Sequence, residues 1–502
     1  MEKNLTIRGL PQVLALDGWW LVAAPSGDDG ADGDAAANAG LSRRARRLGA
    51  ILILVALADL LFWRHGPGLS LALFAAAIFA LSMTQGVVVW RGPAVLLVLA
   101  ALPVIDHLQA LSLTFLVLGQ IVALLWSRHP DASAAQLIRS AIRFLGKLPG
   151  NWVRVLDPRR LSVGGSALRD AGAPALALRR MLRNWALPVG GSLVFLALLM
   201  EANPVLARLL QIDLDLWQTV RRALFWAGTA VFVSPFLLPM DDPLAKAPQR
   251  DPSRWRLTGF GINAGAVLRA LVLFNLLIAV QSLTDLLILL GGADLPAGMT
   301  LAEYAHRGAY PLLATALIAA AFALTARPFL AEHRLMRPLM LVWLAQNMVL
   351  CGAAALRLEL YIESFGLTYL RLHALIWMGL VAAGLSLLIW QVLRRRSNDW
   401  LGRRVAVLLV TTLYLCSFVN FAQIIAAQNV TRPDPDRAYL CSLGPLASGP
   451  ILASGVGRRI ANRIDLGDCE ITAPRIRNWR EWGFRTWSAH RYVRQVSYAA
   501  RP

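Results

Sequence analysis

"VAVLLVTTLYLCSFVNFAQIIAA" occupies Val405–Ala427 and contains no charged side chain. As a helix, a run of this length covers about 34 Å, close to the roughly 30 Å hydrocarbon core of a bilayer. The basic stretch "RRRSNDWLGRR" (Arg394–Arg404) precedes it, and polar chain follows from Asn429. An apolar run with that flank reads as a membrane span, and the rest of the chain repeats the pattern. Leu48–Trp63, Leu69–Thr84 and Leu108–Trp126 are further runs. The 502 residues are 57% hydrophobic and only 16% charged, with mean hydropathy +0.53. A soluble domain carries about 25% charge. The expected fold class is therefore all-α: a multi-pass transmembrane helical bundle of about eleven spans with a small external C-terminal tail.

The spans are placed near 48–64, 68–89, 93–106, 108–127, 186–208, 217–239, 266–291, 309–327, 337–358, 371–393 and 403–427. Pro103 and the "DHLQ" turn (Asp106–Gln109) divide 93–127, which reads as two short spans or a re-entrant pair. Five segments result. Residues 1–47 read as a disordered acidic cytoplasmic tail, because "SGDDGADGDAAANAG" has nothing to bury. Helices 1–4 fill 48–127, a basic cytoplasmic segment 128–184, helices 5–11 185–428, and the external polar tail 429–502.

Net charge is +20. Nucleic-acid binding is not needed to account for it, since Lys and Arg collect in the cytoplasmic loops of polytopic proteins. "RRARR" (Arg43–Arg47), the eleven Lys/Arg of 128–184 and the loops after the sixth, eighth and tenth spans fall on one side of an eleven-span threading. The N-terminus is then cytoplasmic and the C-terminus periplasmic. Arg208, Arg221 and Arg222 are exceptions, with Glu201, Asp213 and Asp215 near enough in sequence to pair with them. "AAQLIRSAIRFLGKL" (Ala134–Leu148) sets apolar residues at helical spacing against Arg139, Arg143 and Lys147. It suits anionic lipid at the inner leaflet, or a solvated helix packed on the bundle. The expected partners are the bilayer and that anionic lipid.

Three stretches carry a resemblance: "LPAGMTLAEYAHRGAYPLLATAL" (Leu295–Leu317), "ALRLELYIESFGLTYLRLHALIWM" (Ala355–Met378) and "NVTRPDPDRAYLCSLGP" (Asn429–Pro445). With "PGLSLALF" (Pro67–Phe74) and "EANP" (Glu201–Pro204), the chain resembles a bacterial family of polytopic membrane proteins known only as a domain of unknown function (4153/4173 type). The resemblance implies an integral protein of the bacterial inner membrane and brings no activity with it. The acidic N-terminal tail is not part of it.

Charge concentrates around the turn after the ninth span. Glu359 and Glu363, four apart, share one helix face. Gly366 suits a C-cap and Thr368 an N-cap, with Arg371 beyond them. Thr300 and Glu303 have capping-box spacing, followed by His306 and Arg307. Glu303, His306, Arg307, Arg357, Glu359, Glu363 and Arg371 are thus expected as one outer-face polar cluster. Salt bridges such as Arg307 with Glu359 or Glu363 would make it a structural clamp; the alternative is a substrate site. Within the spans, Glu201 and Asp285 stand out, because an ionisable side chain in hydrocarbon is costly unless it has a partner or a task. Gln281 lies one turn before Asp285.

No Walker loop, GxSxG or HExxH is present, and the four cysteines lack zinc spacing, so no metal, cofactor or catalytic residue is assigned. Cys351 and Cys416 lie in apolar runs. Cys441 and Cys469 lie in the tail, which, if external, faces an oxidising compartment and favours a disulfide. Three functions stay open: a transporter or permeation path, an envelope sensor or scaffold working through the tail and basic segment, and a membrane enzyme on a lipid-linked substrate using Glu303, Glu359 and Glu363.

Overall fold

The computed structural model describes residues 27–84, 89–156, 216–237, 263–289 and 301–499, with scattered helical positions between 188 and 202. In parts of the helices, among them 27–44, 301–313 and 497–499, only the backbone path is described. The elements are α1 (Gly27–Phe62), α2 (Leu69–Met83), α3 (Arg91–Asp106), α4 (Ala110–Arg128), α5 (Ala134–Leu156), α6 (Leu216–Leu237), α7 (Ala264–Leu289), α8 (Leu301–Ala326), α9 (Met336–Phe365), α10 (Tyr369–Arg394), α11 (Asn398–Cys416), α12 (Phe421–Asn429), α13 (Arg437–Ser442) and α14 (Ser448–Ala453). Then come β1 (Arg458–Ile460), β2 (Arg463–Asp465), β3 (Glu470–Thr472) and α15 (Phe484–Ala499).

Among the described residues four helices are long and apolar enough to cross a bilayer: α4, the Ala264–Asp285 stretch of α7, α9 and α10. α11 and α12 are so only together, as a pair bent by 66° at the break between them: a broken span or a re-entrant pair. The single straight helix expected over 403–427 is therefore two helices. The break falls at "SFVN" (Ser417–Asn420), where Ser and Asn side chains compete with the helix for backbone partners. Ser417 Oγ bonds the carbonyl of Tyr414 at 2.5 Å, and Asn420 caps α12 by accepting from Gln423 N at 3.2 Å. Pro103, by contrast, lies inside α3 without ending it, and α3 and α4 are separate helices joined at residues 107–109. The first described helix starts at Gly27, inside the acidic stretch, whose alanines favour helix.

The chain divides into two units. One comprises residues 1–64, 73–95 and 120–245. In it, Arg222 of α6 forks onto Asp59 of α1, with Nε–Oδ1 2.9 Å and Nη2–Oδ2 2.5 Å, and Trp226 Nε1 donates to the same carboxylate. Arg222 thus has a partner 163 positions away in sequence; the neighbouring Glu201, Asp213 and Asp215 lie outside the described residues. On α5, Leu137 and Ala141 are buried while Ile138 and Ile142 are exposed, so its apolar face is only partly covered among the described residues.

The second unit comprises residues 65–72, 96–119 and 246–502. α9 is its axis, packed against α7, α8 and α10. Small residues on α8 at helical spacing (Ala316, Ala319, Ala323) are buried and let the helices approach closely. Phe274, Phe322 and Trp343 close this core with ring contacts of 5.3–6.1 Å. At one end of the unit, Arg327 reaches Asn398 and Arg337 reaches the carbonyls of Val392 and Leu393.

At the other end the C-terminal chain folds into a module. It is not all-helical: "RRI", "RID" and "EIT" form a three-stranded antiparallel sheet with Ile464 and Ile471 turned inward. The strands are three residues each, too short for a periodic signal in the sequence. Cys441 and Cys469 are disulfide-bonded, with Cα atoms 6.4 Å apart. The module gathers several helix ends. Leu69 N donates to Trp482 O at 2.9 Å, and Gly66 N to Glu481 Oε1 at 2.9 Å. A Cβ on Gly68 would lie 2.6 Å from the Glu481 backbone, so only glycine admits this approach. Asn429 clasps Leu367 through both backbone groups at 2.8 Å.

Candidate functional site

Among the described residues, two buried ion pairs lie in the second unit. The first joins α7 to α9. Arg357 donates to Asp285, whose carboxylate also accepts from Gln281 Nε2 at 2.7 Å. Their side chains are 4% and 0% exposed. Asp285 and Gln281, one turn apart on α7, face α9 together, as their spacing requires. Arg357, expected in the outer cluster, is buried among the helices and paired with Asp285. The reason is local: Leu358 and Ile362 keep the buried helical stripe going, so α9 runs to Phe365 and leaves Arg357 two turns below its end.

The second pair closes over the broken helix. Asp106 ends α3, and Arg485 sits in the first turn of α15. Arg485 Nε donates to Asp106 Oδ2 at 3.0 Å and Nη2 donates to the same oxygen. Nη2 also donates to the Ser417 carbonyl at 2.5 Å, which accepts from Gln109 Nε2 at 3.1 Å. Ser417 is fully buried. The last carbonyls of α11 lack helical partners because the helix stops there. A cationic donor and an amide fill that need at the break. Gly483 allows the approach, since a Cβ there would lie 3.1 Å from the Asp106 carbonyl. Burial pushes the neighbouring His107 imidazole below its ordinary range; Arg485 adds to the push and Asp106 opposes it.

The remaining cluster residues separate. Gly366 takes φ +81°, and Thr368 Oγ1 accepts from Arg371 N at 3.4 Å, so both cap readings hold. Arg371 stacks over Tyr361 at 4.3 Å and donates to the Gly366 carbonyl, while Arg432 covers the carbonyls of Glu363 and Ser364. Cations thus complete the C-terminus of α9. Glu359 and Glu363 are exposed. Glu303, His306 and Arg307 lie on α8, but their side chains, and hence the clamp, lie outside those described, as do Thr300 and Glu201. Cys351 and Cys416 are free thiols.

Sequence reasoning missed the Asp106–Arg485 pair. Asp106 registered only as part of a turn, and Arg485 is one of six arginines between 474 and 499. Among the described residues no group of His, Cys, Asp and Glu is arranged to hold a metal ion.

These features define a mostly helical protein built from bilayer-length apolar helices, with ion pairs buried among them and a disulfide-closed module at one end. The chain belongs to the family DUF4153, a domain of unknown function, which it matches over residues 50–453. No curated protein and no solved structure matches it.

Proposed function

We propose that the protein is an integral protein of a bacterial inner membrane that forms a transport or permeation path, with the α11–α12 break at the outer end of that path. The observation that carries this reading is the break itself. Non-helical backbone at membrane depth is tolerated where protein or a water-filled cavity satisfies it. Broken helices with backbone carbonyls turned to a polar site recur in transporters. Here the carbonyl left at the break, Ser417 O, is held by Arg485 and Gln109. The buried Asp285–Arg357 pair supplies a second polar station on the helices of the same unit.

In this reading the chain crosses the membrane about eleven times, with the N-terminus in the cytoplasm and the C-terminal module in the periplasm. Support comes from the basic loops and from the disulfide, which persists in an oxidising compartment. The 128–184 segment would rest on anionic lipid, as the exposed Ile138 and Ile142 beside Arg143 and Lys147 suggest. One observation favours a sensor or scaffold as the second reading: the module is a folded unit with its own sheet and staple. The enzyme reading has less support, since Glu359 and Glu363 are both exposed on the surface of α9.

Flux through reconstituted protein tests the path. Freeing the Ser417 carbonyl with Arg485→Gln, or more mildly with Gln109→Ala, is expected to raise small-ion leak from proteoliposomes by about tenfold or more over wild type. Vesicles carrying either folded variant that stay as tight as empty vesicles would remove this reading and leave the scaffold.

A further inference from the structure

A cavity of about 190 Å³ lies between α12, α14 and α15. Gln423 of α12 forms one wall and Gly449 and Pro450 of α14 another. The third is a stripe of α15: Ser488, Arg491, Tyr492 and Gln495, which share one face because they stand at i, i+3, i+4 and i+7. The adjoining stripe of the helix, Arg485, Ala489 and Val493, is buried, and Ala489 also lines the cavity. Gly449 is required for the cavity's shape: a Cβ there would lie 1.9 Å from the Tyr492 ring.

The surroundings of this cavity are those of a membrane interface. Phe484, Trp487 and Trp479 are exposed, and so is Ile424 beside Gln423. Arg491 lies 5.6 Å from the Trp487 ring and Arg480 5.0 Å from that of Trp479. Aromatic rings backed by arginine concentrate where hydrocarbon meets headgroups. The cavity is also lined by Gln423 of α12, the second half of the bent α11–α12 pair.

Charge decides what it fits. Six arginines stand against one glutamate between 474 and 499, and Glu481 is committed to Gly66 N. Arg494 and Arg459, after burial, hold the nearby His490 imidazole below its ordinary range, as a positive field does. Among the described residues Arg491 faces no carboxylate, and its planar fork suits a phosphate. Ser488, Gln423, Gln495 and the Tyr492 hydroxyl add neutral hydrogen-bonding groups around it.

We infer that this cavity binds the phosphate headgroup of an anionic phospholipid, with Arg491 on the phosphate and the acyl chains running along the exposed apolar residues. The inference rests on the module lying at the membrane surface. It does not require the protein to transport anything.

The test is native mass spectrometry of the full-length protein in detergent, stripped of lipid and titrated with phosphatidylglycerol or with phosphatidylcholine of the same chains. Phosphatidylglycerol is expected to be retained about fivefold better or more. Arg491→Gln, and Gln495→Glu, which sets a like charge against the phosphate, should each abolish that preference. Arg494→Gln, on the same helix but outside the cavity, should change it by less than about twofold. Equal retention of the two lipids, or a preference that survives Arg491→Gln in a folded variant, overturns the proposal. Displacement of the lipid by millimolar glycerol phosphate would assign the cavity to a free phosphoester and overturn the lipid assignment; no displacement supports it. A silent flux assay would leave this result unaffected, so the two readings fail separately.

Discussion

The guanidinium of Arg485 and the carboxylate of Asp106, 379 positions apart in sequence, form one buried pair, and the same guanidinium holds the Ser417 carbonyl where α11 stops. One side chain therefore ties the C-terminal module, the α3 end and the broken helix together. Truncating either member strands a buried charge. Asp106→Asn or Arg485→Gln should each cost on the order of 3–5 kcal/mol, seen as a lower unfolding temperature in detergent. The double variant should cost less than the sum, because the two residues share one interaction. Additive losses would mean that the pair does not couple these elements.

The Asp285–Arg357 pair should behave alike, with a further option. Asp285→Ala leaves Arg357 buried without its carboxylate and is expected to be destabilising by several kcal/mol, on the order of 3–5. Adding Arg357→Met should recover most of that loss, since an apolar side chain of similar length suits the bundle. Thermal unfolding of the two variants side by side reads this directly.

The disulfide closes a loop of 28 positions between Cys441 and Cys469. Chain-entropy reasoning assigns such a closure roughly 3–4 kcal/mol. The module has little core of its own, so Cys441→Ser should make the 437–499 region far more sensitive to limited proteolysis while leaving the helices intact. Equal protease sensitivity in oxidised and Cys441→Ser protein would show that the staple contributes little.

Acid should loosen the contact at His107. Its folded value lies below the ordinary histidine value of about 6.5. A depressed value means the neutral form is favoured in the folded state. The associated stability is full above pH 6.5 and falls as pH drops through the lower, folded value. Unfolding temperature should decline as pH drops below about 6.5. In His107→Gln that acid-side decline should be shallower; an unchanged slope would place the titration elsewhere.

Much of this was legible in the sequence, and its failures have local causes. Apolar length found α4, α7, α9 and α10, because bilayer thickness demands it. Gly366 and Thr368 marked the turn between α9 and α10 through backbone requirements that depend on few neighbours. The break in α11–α12 was hidden because "SFVN" carries no charge, and hydropathy does not register a change of direction. The burial of Arg357 was not legible either, because its charge suggests a helix end while the buried stripe of Leu358 and Ile362 continues past it. Long-range pairs such as Asp59–Arg222 and Asp106–Arg485 left no trace, since nothing local distinguishes one arginine among many.

The central claim is that α11 and α12 form one crossing of the membrane, closed on the outer side by the C-terminal module. Compartment-specific reporters fused after Ser397 and after Pro502 test it most directly. The account predicts that the first reads cytoplasmic and the second periplasmic. The same compartment at both positions would mean that the chain bends back at Ser417–Asn420 without crossing, and would contradict the account.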